Sequence, residues 1–84
     1  MKLFVKNIDR DINEAALEGL FALHGKVLST KIVYDKITWE SKGFGFVEMN
    51  KKEDGEKAIA ALNGFVVKGR PLIVVEADET KRRH

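Results

Sequence analysis

Four stretches of the chain either alternate apolar and polar residues or are rich in β-branched residues. Both patterns are typical of strands. The stretches are residues 2–8, 27–34, 43–49 and 72–77. A shorter stretch, residues 65–67, is predicted to form a short strand before a turn at Lys68-Gly69. Pro71 comes just before the last long strand, a position that tolerates proline because no amide hydrogen is needed there.

Two stretches between the predicted strands carry apolar residues at helical spacing. Asn13 is suited to cap the first helix, and Gly25 is expected to end it in a left-handed conformation. The second helix is predicted over residues 53–62, before the turn signal Asn63-Gly64. The inward faces of the two helices are formed by Leu17, Leu20, Phe21, Ala58, Ile59 and Leu62.

The resulting order of elements is β-α-β-β-α-β, the split βαβ arrangement of ferredoxin-like domains. We therefore expect an α+β sandwich in which two helices cover one face of a four-stranded antiparallel sheet of order 4-1-3-2. One domain is predicted over residues 1–78, and residues 79–84 are predicted to be a basic, flexible tail. Proteins of many functions share this order, so it does not by itself indicate a function.

The two faces of the predicted sheet differ in chemistry, because successive side chains of a strand point to opposite faces. The face toward the helices is completed by Leu3, Val5, Ile32, Val47, Leu72 and Val74. The opposite face carries three aromatic rings, four lysines and one carboxylate, from Phe4, Phe44, Phe46, Lys2, Lys6, Lys31, Lys42 and Glu48. Exposed rings rimmed by lysine suit single-stranded nucleic acid, because bases stack on rings and lysines contact phosphates.

The alternative for these phenylalanines is a core position under a third layer of structure. No stretch of sequence remains to form such a layer unless the short tail folds back. Gly43 and Gly45 alternate with Phe44 and Phe46, and we expect these small residues to let a helix approach the sheet closely.

Amino-acid composition argues against some classes of protein, although net charge alone indicates no function. The 84 residues carry a formal charge of +2, and the last six residues carry three basic groups and one acidic group, which leaves the rest neutral. The chain has no cysteine, no long apolar run and no recognisable signal peptide, so we expect neither a disulfide nor a membrane span. His24 and His84 lack metal-ligand spacing, and we predict no metal and no cofactor.

Two motifs carry a resemblance to a known family. Residues 42–49 read KGFGFVEM, which resembles the eight-residue ribonucleoprotein motif of the RNA-recognition-motif family. Residues 3–8 read LFVKNI, which resembles the six-residue partner motif of that family. Further similarities run through Gly25, Asp35, Ala58, residues 62–64, Gly69-Arg70 and Leu72. The resemblance covers nearly the whole chain and implies a single-stranded RNA-binding domain.

The resemblance also implies roles for individual residues. Phe4 and Phe46 would each stack a base, Phe44 would pack against sugars, and Lys42 would pair with a phosphate. Positions that often touch nucleotides in the family correspond to Asn7, Val33, Val75 and Asp78. The basic tail, including Arg82, is expected either to add nonspecific phosphate contacts or to serve only as a solvated end.

Three positions depart from the family pattern. Met49 stands where an aromatic is common, but it is expected to point into the core. His24 replaces another common aromatic and is interpreted as a partly exposed packing residue. Trp39 lies in a loop where glycine is common, and either packs down on that loop or adds a stacking surface beside the sheet.

Three other functions compete with RNA binding for this fold. Acylphosphatase-type enzymes share the fold but need an anion-cradling loop after the first strand, and Asp9, Arg10 and Asp11 make a poor cradle. Protein-binding variants often lose the exposed aromatics, and single-stranded DNA remains open because stacking does not read the 2′-hydroxyl. We therefore predict a non-enzymatic, cytoplasmic, monomeric RNA-binding protein, similar to small single-domain members of bacteria, cyanobacteria and organelles.

Overall fold

The computed structural model describes residues 1–77 of the chain. Asp78 and Arg82, together with the rest of the predicted tail, lie outside the described residues. Six strands and two helices follow one another along the described part. They are β1 (Lys2–Lys6), α1 (Glu14–Ala22), β2 (Val27–Tyr34), β3 (Ser41–Met49), α2 (Lys52–Leu62), β4 (Val66–Val67), β5 (Arg70–Pro71) and β6 (Ile73–Glu76).

The four long strands form one antiparallel sheet of order β2-β3-β1-β6. This order confirms the expected 4-1-3-2 arrangement, with β6 as the fourth strand of the sheet. β1 and β3 occupy its centre, and Phe4 lies directly opposite Phe46 in their register. The α+β, ferredoxin-like fold predicted from the element order is therefore correct.

The core lies between the helices and one face of the sheet. Buried residues from both helices and all four long strands form a single cluster, so the predicted inward faces are confirmed. Leu20 and Ile59 pack against this cluster while remaining partly exposed. The fully or almost fully buried apolar side chains are Leu3, Val5, Ile8, Ile12, Leu17, Phe21, Ile32, Val47, Met49, Ala58, Leu62, Leu72 and Val74.

Several element boundaries differ from the prediction for local reasons. Asn13 caps α1 as expected, since its Oδ1 accepts a hydrogen bond from the Ala16 amide at 2.9 Å. The helix ends at Ala22 with Leu23 as its C-cap, before Gly25 is reached. Gly25 has a φ of 152°, so it shapes the connection to β2 and does not itself end the helix. β1 stops at Lys6 because Asn7 turns left-handed, with a φ of 60°.

The segment after α2 forms a second, two-stranded sheet that the sequence predicted only in part. β4 pairs with β5 through Val66 opposite Pro71 and Val67 opposite Arg70. The turn between them is at Lys68-Gly69, as predicted, and both residues have positive φ values of 52° and 82°. Positive φ at both central positions is the geometry that lets a two-residue hairpin follow strand twist.

The reason expected for glycine at positions 43 and 45 was wrong. A Cβ placed on Gly45 would collide with the Lys31 carbonyl oxygen and would lie 2.9 Å from the Ile32 Cα, both backbone atoms of β2. A Cβ on Gly43 would lie 3.3 Å from the Ile8 carbonyl oxygen. Gly45 therefore allows the close approach of a neighbouring strand, and no helix is involved.

Within residues 1–77, neither helix has the length and apolar character needed to cross a membrane. No group of three or more histidine, aspartate or glutamate side chains in this range is placed to hold a metal ion.

Candidate nucleic-acid interface

The strand register gathers three phenylalanines on the face of the sheet opposite the helices. Phe4 of β1 faces Phe46 of β3, and Lys6 faces Phe44, while their strand neighbours Leu3, Val5 and Val47 are buried on the other face. We call Phe4, Phe44 and Phe46 the aromatic platform. All three rings are half-buried, so each keeps some surface open to solvent.

The platform rings contact one another in two geometries. The Phe4 and Phe46 rings are stacked, with centroids 5.1 Å apart and planes inclined by 20°. Phe44 meets Phe4 edge-on, with centroids 5.8 Å apart and planes inclined by 81°. Aromatic pairs prefer these offset-stacked and edge-to-face arrangements. The three rings therefore pack as one connected group.

Two lysines of β1 lie over the platform. The Lys2 Nζ is 5.0 Å from the Phe46 ring centroid, and the Lys6 Nζ is 5.7 Å from that of Phe4. Such contacts are worth about 0.5–1 kcal/mol at exposed sites. A stacked base contributes about 1–3 kcal/mol. A stacked base would therefore be worth more to a ring than a lysine contact is.

A shallow cavity of about 270 Å³ lies beside Phe46 toward the β2 edge of the sheet. It brings together the ring, two predicted lysines and Val33, and it also includes Glu48, the carboxylate predicted on this face. Its lining residues are Lys2, Ser29, Lys31, Val33, Phe46 and Glu48.

A larger cavity of about 380 Å³ opens beside Phe4 and Phe44, where β1 leaves the sheet. We call it the basic cavity, because four of its lining side chains are cationic and none is a carboxylate. Its lining residues are Phe4, Lys6, Asn7, Ile8, Arg10, Lys42, Gly43, Phe44 and Arg70.

Asn7 links the end of β1 to the β4–β5 hairpin at the edge of the basic cavity. Its Nδ2 donates a hydrogen bond to the Pro71 carbonyl oxygen at 2.8 Å. Its Oδ1 accepts a hydrogen bond from the Arg70 Nη1 at 3.0 Å. Both polar groups of the Asn7 side chain are thus engaged within the protein.

The loop between β2 and β3 is organised by Asp35. Its Oδ1 accepts hydrogen bonds from the amides of Thr38 at 3.0 Å and Ile37 at 2.8 Å. The bond from the Thr38 amide, followed by that from Ile37, holds the pKa of the Asp35 carboxyl below its ordinary value. Trp39 follows with a φ of 63° and is 75% exposed, so it is not packed down on the loop. Its role as an additional stacking surface stays a prediction.

A family model described as RNA recognition motif matches residues 3–73, well over half of the chain. The chain belongs to the RNA recognition motif family. The matched range includes both ribonucleoprotein-like motifs and every described residue of the platform and the basic cavity.

Curated relatives of this family resemble the chain over almost its whole length. The chloroplastic 28 kDa ribonucleoprotein of Nicotiana sylvestris is 42% identical over 83 residues, which cover 99% of this chain and 30% of the relative. The chain spans about a third of the length of the curated relatives it matches. Their names place these relatives in chloroplasts, so they do not support the predicted cytoplasmic location.

Two solved structures, of an RNA-binding protein and of a protein–RNA complex, are closely similar to the chain. The crystal structure of RNA binding protein PG1 has a TM-score of 0.89 and 40% identity, covering 92% of this chain and 93% of that one. The Sxl-lethal protein–RNA complex has a TM-score of 0.86 and 36% identity, covering 90% of this chain and 47% of that one.

The structure brings most of the predicted site residues of this RNA recognition motif together. Lys2, Lys6 and Lys31 lie beside the platform rings, and Val75 lies opposite Phe4 with 44% of its surface exposed. Lys42 and Asn7 line the basic cavity instead, and Val33 lines the cavity beside Phe46. Met49 is fully buried, as predicted, and His24 is partly exposed.

Sequence reasoning did not assign Arg10 or Arg70 to the site. Arg70 was noted only as part of the family resemblance, and Arg10 only as a poor anion ligand between two aspartates. Arg10 lies 3.6 Å from Glu40, and both side chains are largely exposed. The Asn7–Arg70 contact joins residues 63 positions apart, and no local pattern in the sequence could have revealed it.

Proposed function

We propose that this chain binds single-stranded RNA on the aromatic platform. The observation that carries the proposal is the group of three partly exposed, mutually packed rings on the two central strands, opposite the helices. Family membership supports it, and so does the similarity to a protein solved in complex with RNA. The rings remain partly open to solvent, so a base or sugar can pack on them, and lysines lie over two of the three.

In this proposal the RNA lies across β1 and β3. Phe4 and Phe46 each stack one base, and Phe44 packs against sugars between them. Lys2, Lys6, Lys31 and Lys42 contact phosphates. Two stacked bases and a few exposed ion pairs give roughly micromolar affinity or weaker, since 1 μM corresponds to about −8 kcal/mol. Stacking alone gives little sequence selectivity, because every base has a π-face.

We further propose a wider role for the domain. The domain extends over residues 1–78, acts as a monomer without metal or cofactor, and performs no catalysis. It serves as an RNA chaperone or post-transcriptional regulator. The ribonucleoprotein names of the curated relatives support the RNA-linked role, although those proteins are about three times as long. Trp39, Val33 and Val75 add contacts at the border of the platform, and Asp78 and Arg82 add contacts beyond the last strand.

An NMR titration with random-sequence RNA and DNA hexamers tests the proposal directly. We expect the amide signals of β1 and β3 to shift on addition of RNA, while those of exposed α2 residues stay in place. Equal shifts with DNA would make single-stranded DNA an equivalent ligand. If neither hexamer shifts the β1 and β3 signals at millimolar concentration, the proposed function is wrong.

Replacing Lys42 with alanine is expected to weaken binding about three- to tenfold for every RNA sequence. It should also reduce the slope of log affinity against log salt by about one, because one phosphate contact is lost. Fluorescence anisotropy at several salt concentrations measures both quantities. Lys57→Ala on the exposed face of α2 is the matched control, since it removes the same charge away from the platform. A loss restricted to one RNA sequence would mean that Lys42 reads a base.

A further inference from the structure

The basic cavity differs from the platform in its charge. Platform and cavity share the Phe4 and Phe44 rings. The cavity wall also contains four cationic side chains, those of Lys6, Arg10, Lys42 and Arg70. No carboxylate lines it, so the positive potential is not cancelled from within. An apolar wall of rings beside clustered cations favours a ligand that is aromatic at one end and anionic at the other.

The two arginines of the cavity are held in different ways. Arg10 lies 3.6 Å from the Glu40 carboxylate, which offsets part of its charge. Arg70 is instead held by Asn7, whose neutral amide oxygen accepts the Nη1 hydrogen bond at 3.0 Å. A neutral partner orients the guanidinium without cancelling its charge. Arginine has five N–H donors, so most of them remain available for a ligand after this bond is made.

Both the backbone and the side chain of Asn7 are constrained. Its left-handed backbone, with a φ of 60°, turns the chain out of β1, and its Nδ2 is bound to the Pro71 carbonyl oxygen. Asparagine is among the few residues that adopt this backbone conformation readily. Through Asn7, the short β4–β5 hairpin is tied to the end of β1, and the Arg70 guanidinium is placed at the cavity wall.

We propose that the basic cavity is a phosphate subsite for the RNA strand on the platform, with Arg70 as its main ligand and Asn7 as the residue that positions Arg70. The ligand is an internucleotide phosphodiester whose neighbouring base or sugar lies on Phe4 or Phe44. This inference rests on the proposed RNA-binding function and adds to it a specific anchor point on the strand. It also assigns the hairpin a role in binding.

The first test is Arg70→Gln, compared with Lys68→Gln in the turn of the same hairpin. Lys68 is exposed and does not line the cavity, so its replacement removes the same charge nearby without touching the subsite. We expect Arg70→Gln to weaken binding of a labelled RNA hexamer about tenfold and to lower the salt slope by about one. Lys68→Gln should change affinity less than about twofold, since exposed rim charges contribute little.

The second test identifies the phosphate. Hexamers of one sequence, each with a single uncharged methylphosphonate linkage at a different position, are titrated against both proteins. At one linkage, neutralising the phosphate should weaken RNA binding by the unmodified protein about tenfold. The same change should leave RNA binding by Arg70→Gln almost unaffected. Equal sensitivity of the two proteins at every linkage would overturn the inference. Displacement of the hexamer by inorganic phosphate at equal concentration would also overturn it, because the cavity would then be a site for free anions.

The third test separates positioning from direct contact. Asn7→Gly keeps a residue that tolerates the left-handed backbone and removes both side-chain hydrogen bonds. We expect a three- to fivefold loss of affinity with an unchanged salt slope, and no further loss when Asn7→Gly is added to Arg70→Gln. Additive losses would show that Asn7 acts independently of Arg70. Thermal unfolding of each variant checks that the fold is retained.

These outcomes are distinguishable from failure of the proposed function. If Phe46→Leu abolishes binding while Arg70→Gln behaves like Lys68→Gln, RNA still binds the platform and the phosphate subsite is wrong. If neither Phe46→Leu nor Arg70→Gln changes the affinity, RNA binding on the platform is wrong as well.

Discussion

Replacing Phe44 and Phe46 together with alanine is expected to abolish detectable binding of a short RNA at micromolar protein concentration. The stack on Phe46 contributes about 1–3 kcal/mol, and the sugar packing on Phe44 is lost as well, so we expect affinity to fall roughly 30-fold or more. The Phe4 ring also loses its stacked and edge-on partners, which lie 5.1 and 5.8 Å away. Fluorescence anisotropy with a labelled hexamer measures the loss, and circular dichroism checks that the fold is retained.

Two further variants keep this experiment decisive. Phe46→Leu preserves an apolar side chain on the sheet but removes the π-face, whereas Phe46→Tyr preserves the ring. We expect the Phe46→Leu variant to lose RNA binding and the Phe46→Tyr variant to retain it. Phe65→Ala is the matched control, because Phe65 is an exposed phenylalanine outside the platform, just before β4. Unchanged affinity for both Phe46→Leu and the double alanine variant would show that RNA does not use the platform.

Gly45→Ala is expected to have the largest effect on stability of any single methyl addition in the sheet. The new Cβ would meet the Lys31 carbonyl oxygen and the Ile32 Cα, and neither backbone atom can move without separating β2 from β3. Overpacking typically costs about 1–3 kcal/mol and occasionally more. We expect about 3 kcal/mol or more here, which lowers the Tm by roughly 10–25 °C in a domain of this size. Thermal unfolding followed by circular dichroism measures the shift.

Gly19→Ala is the natural comparison for Gly45→Ala. Gly19 lies on the exposed side of α1, and a Cβ there would meet nothing within 4 Å. Alanine is favoured over glycine in a helix by about 1 kcal/mol, so this variant should be more stable than the unmodified protein. A Tm for Gly45→Ala close to that of the unmodified protein would show that β2 can move away at little cost.

The sequence predicted the fold and the platform because both depend on local periodicity. Alternation along β1 and β3 separates Phe4, Phe44 and Phe46 from the buried set, and register then follows from keeping that set inside. The cap at Asn13 was readable for the same reason, since a capping side chain bonds an amide only three residues away. These features need no knowledge of distant parts of the chain.

The features that sequence reasoning missed depend on contacts between distant segments. The clash that makes Gly45 necessary comes from the backbone of β2, and glycine in a strand does not reveal which neighbour approaches it. The basic cavity depends on Asn7 meeting Arg70 and Pro71, and therefore on where a two-residue hairpin docks. The pairing of β4 with β5 was also too short to give a periodic signal.

The central position of β1 and β3 affects the conformational entropy that the protein would lose on binding a ligand. All three platform rings are attached to strands that are paired on both sides, and such strands open only when most of the domain opens. Edge strands β2 and β6 can fray at their ends without disturbing the rings. In the proposed mode of binding, the RNA would therefore meet rings that are already held on paired strands, and ordering of the backbone beneath them would add little to the entropy cost.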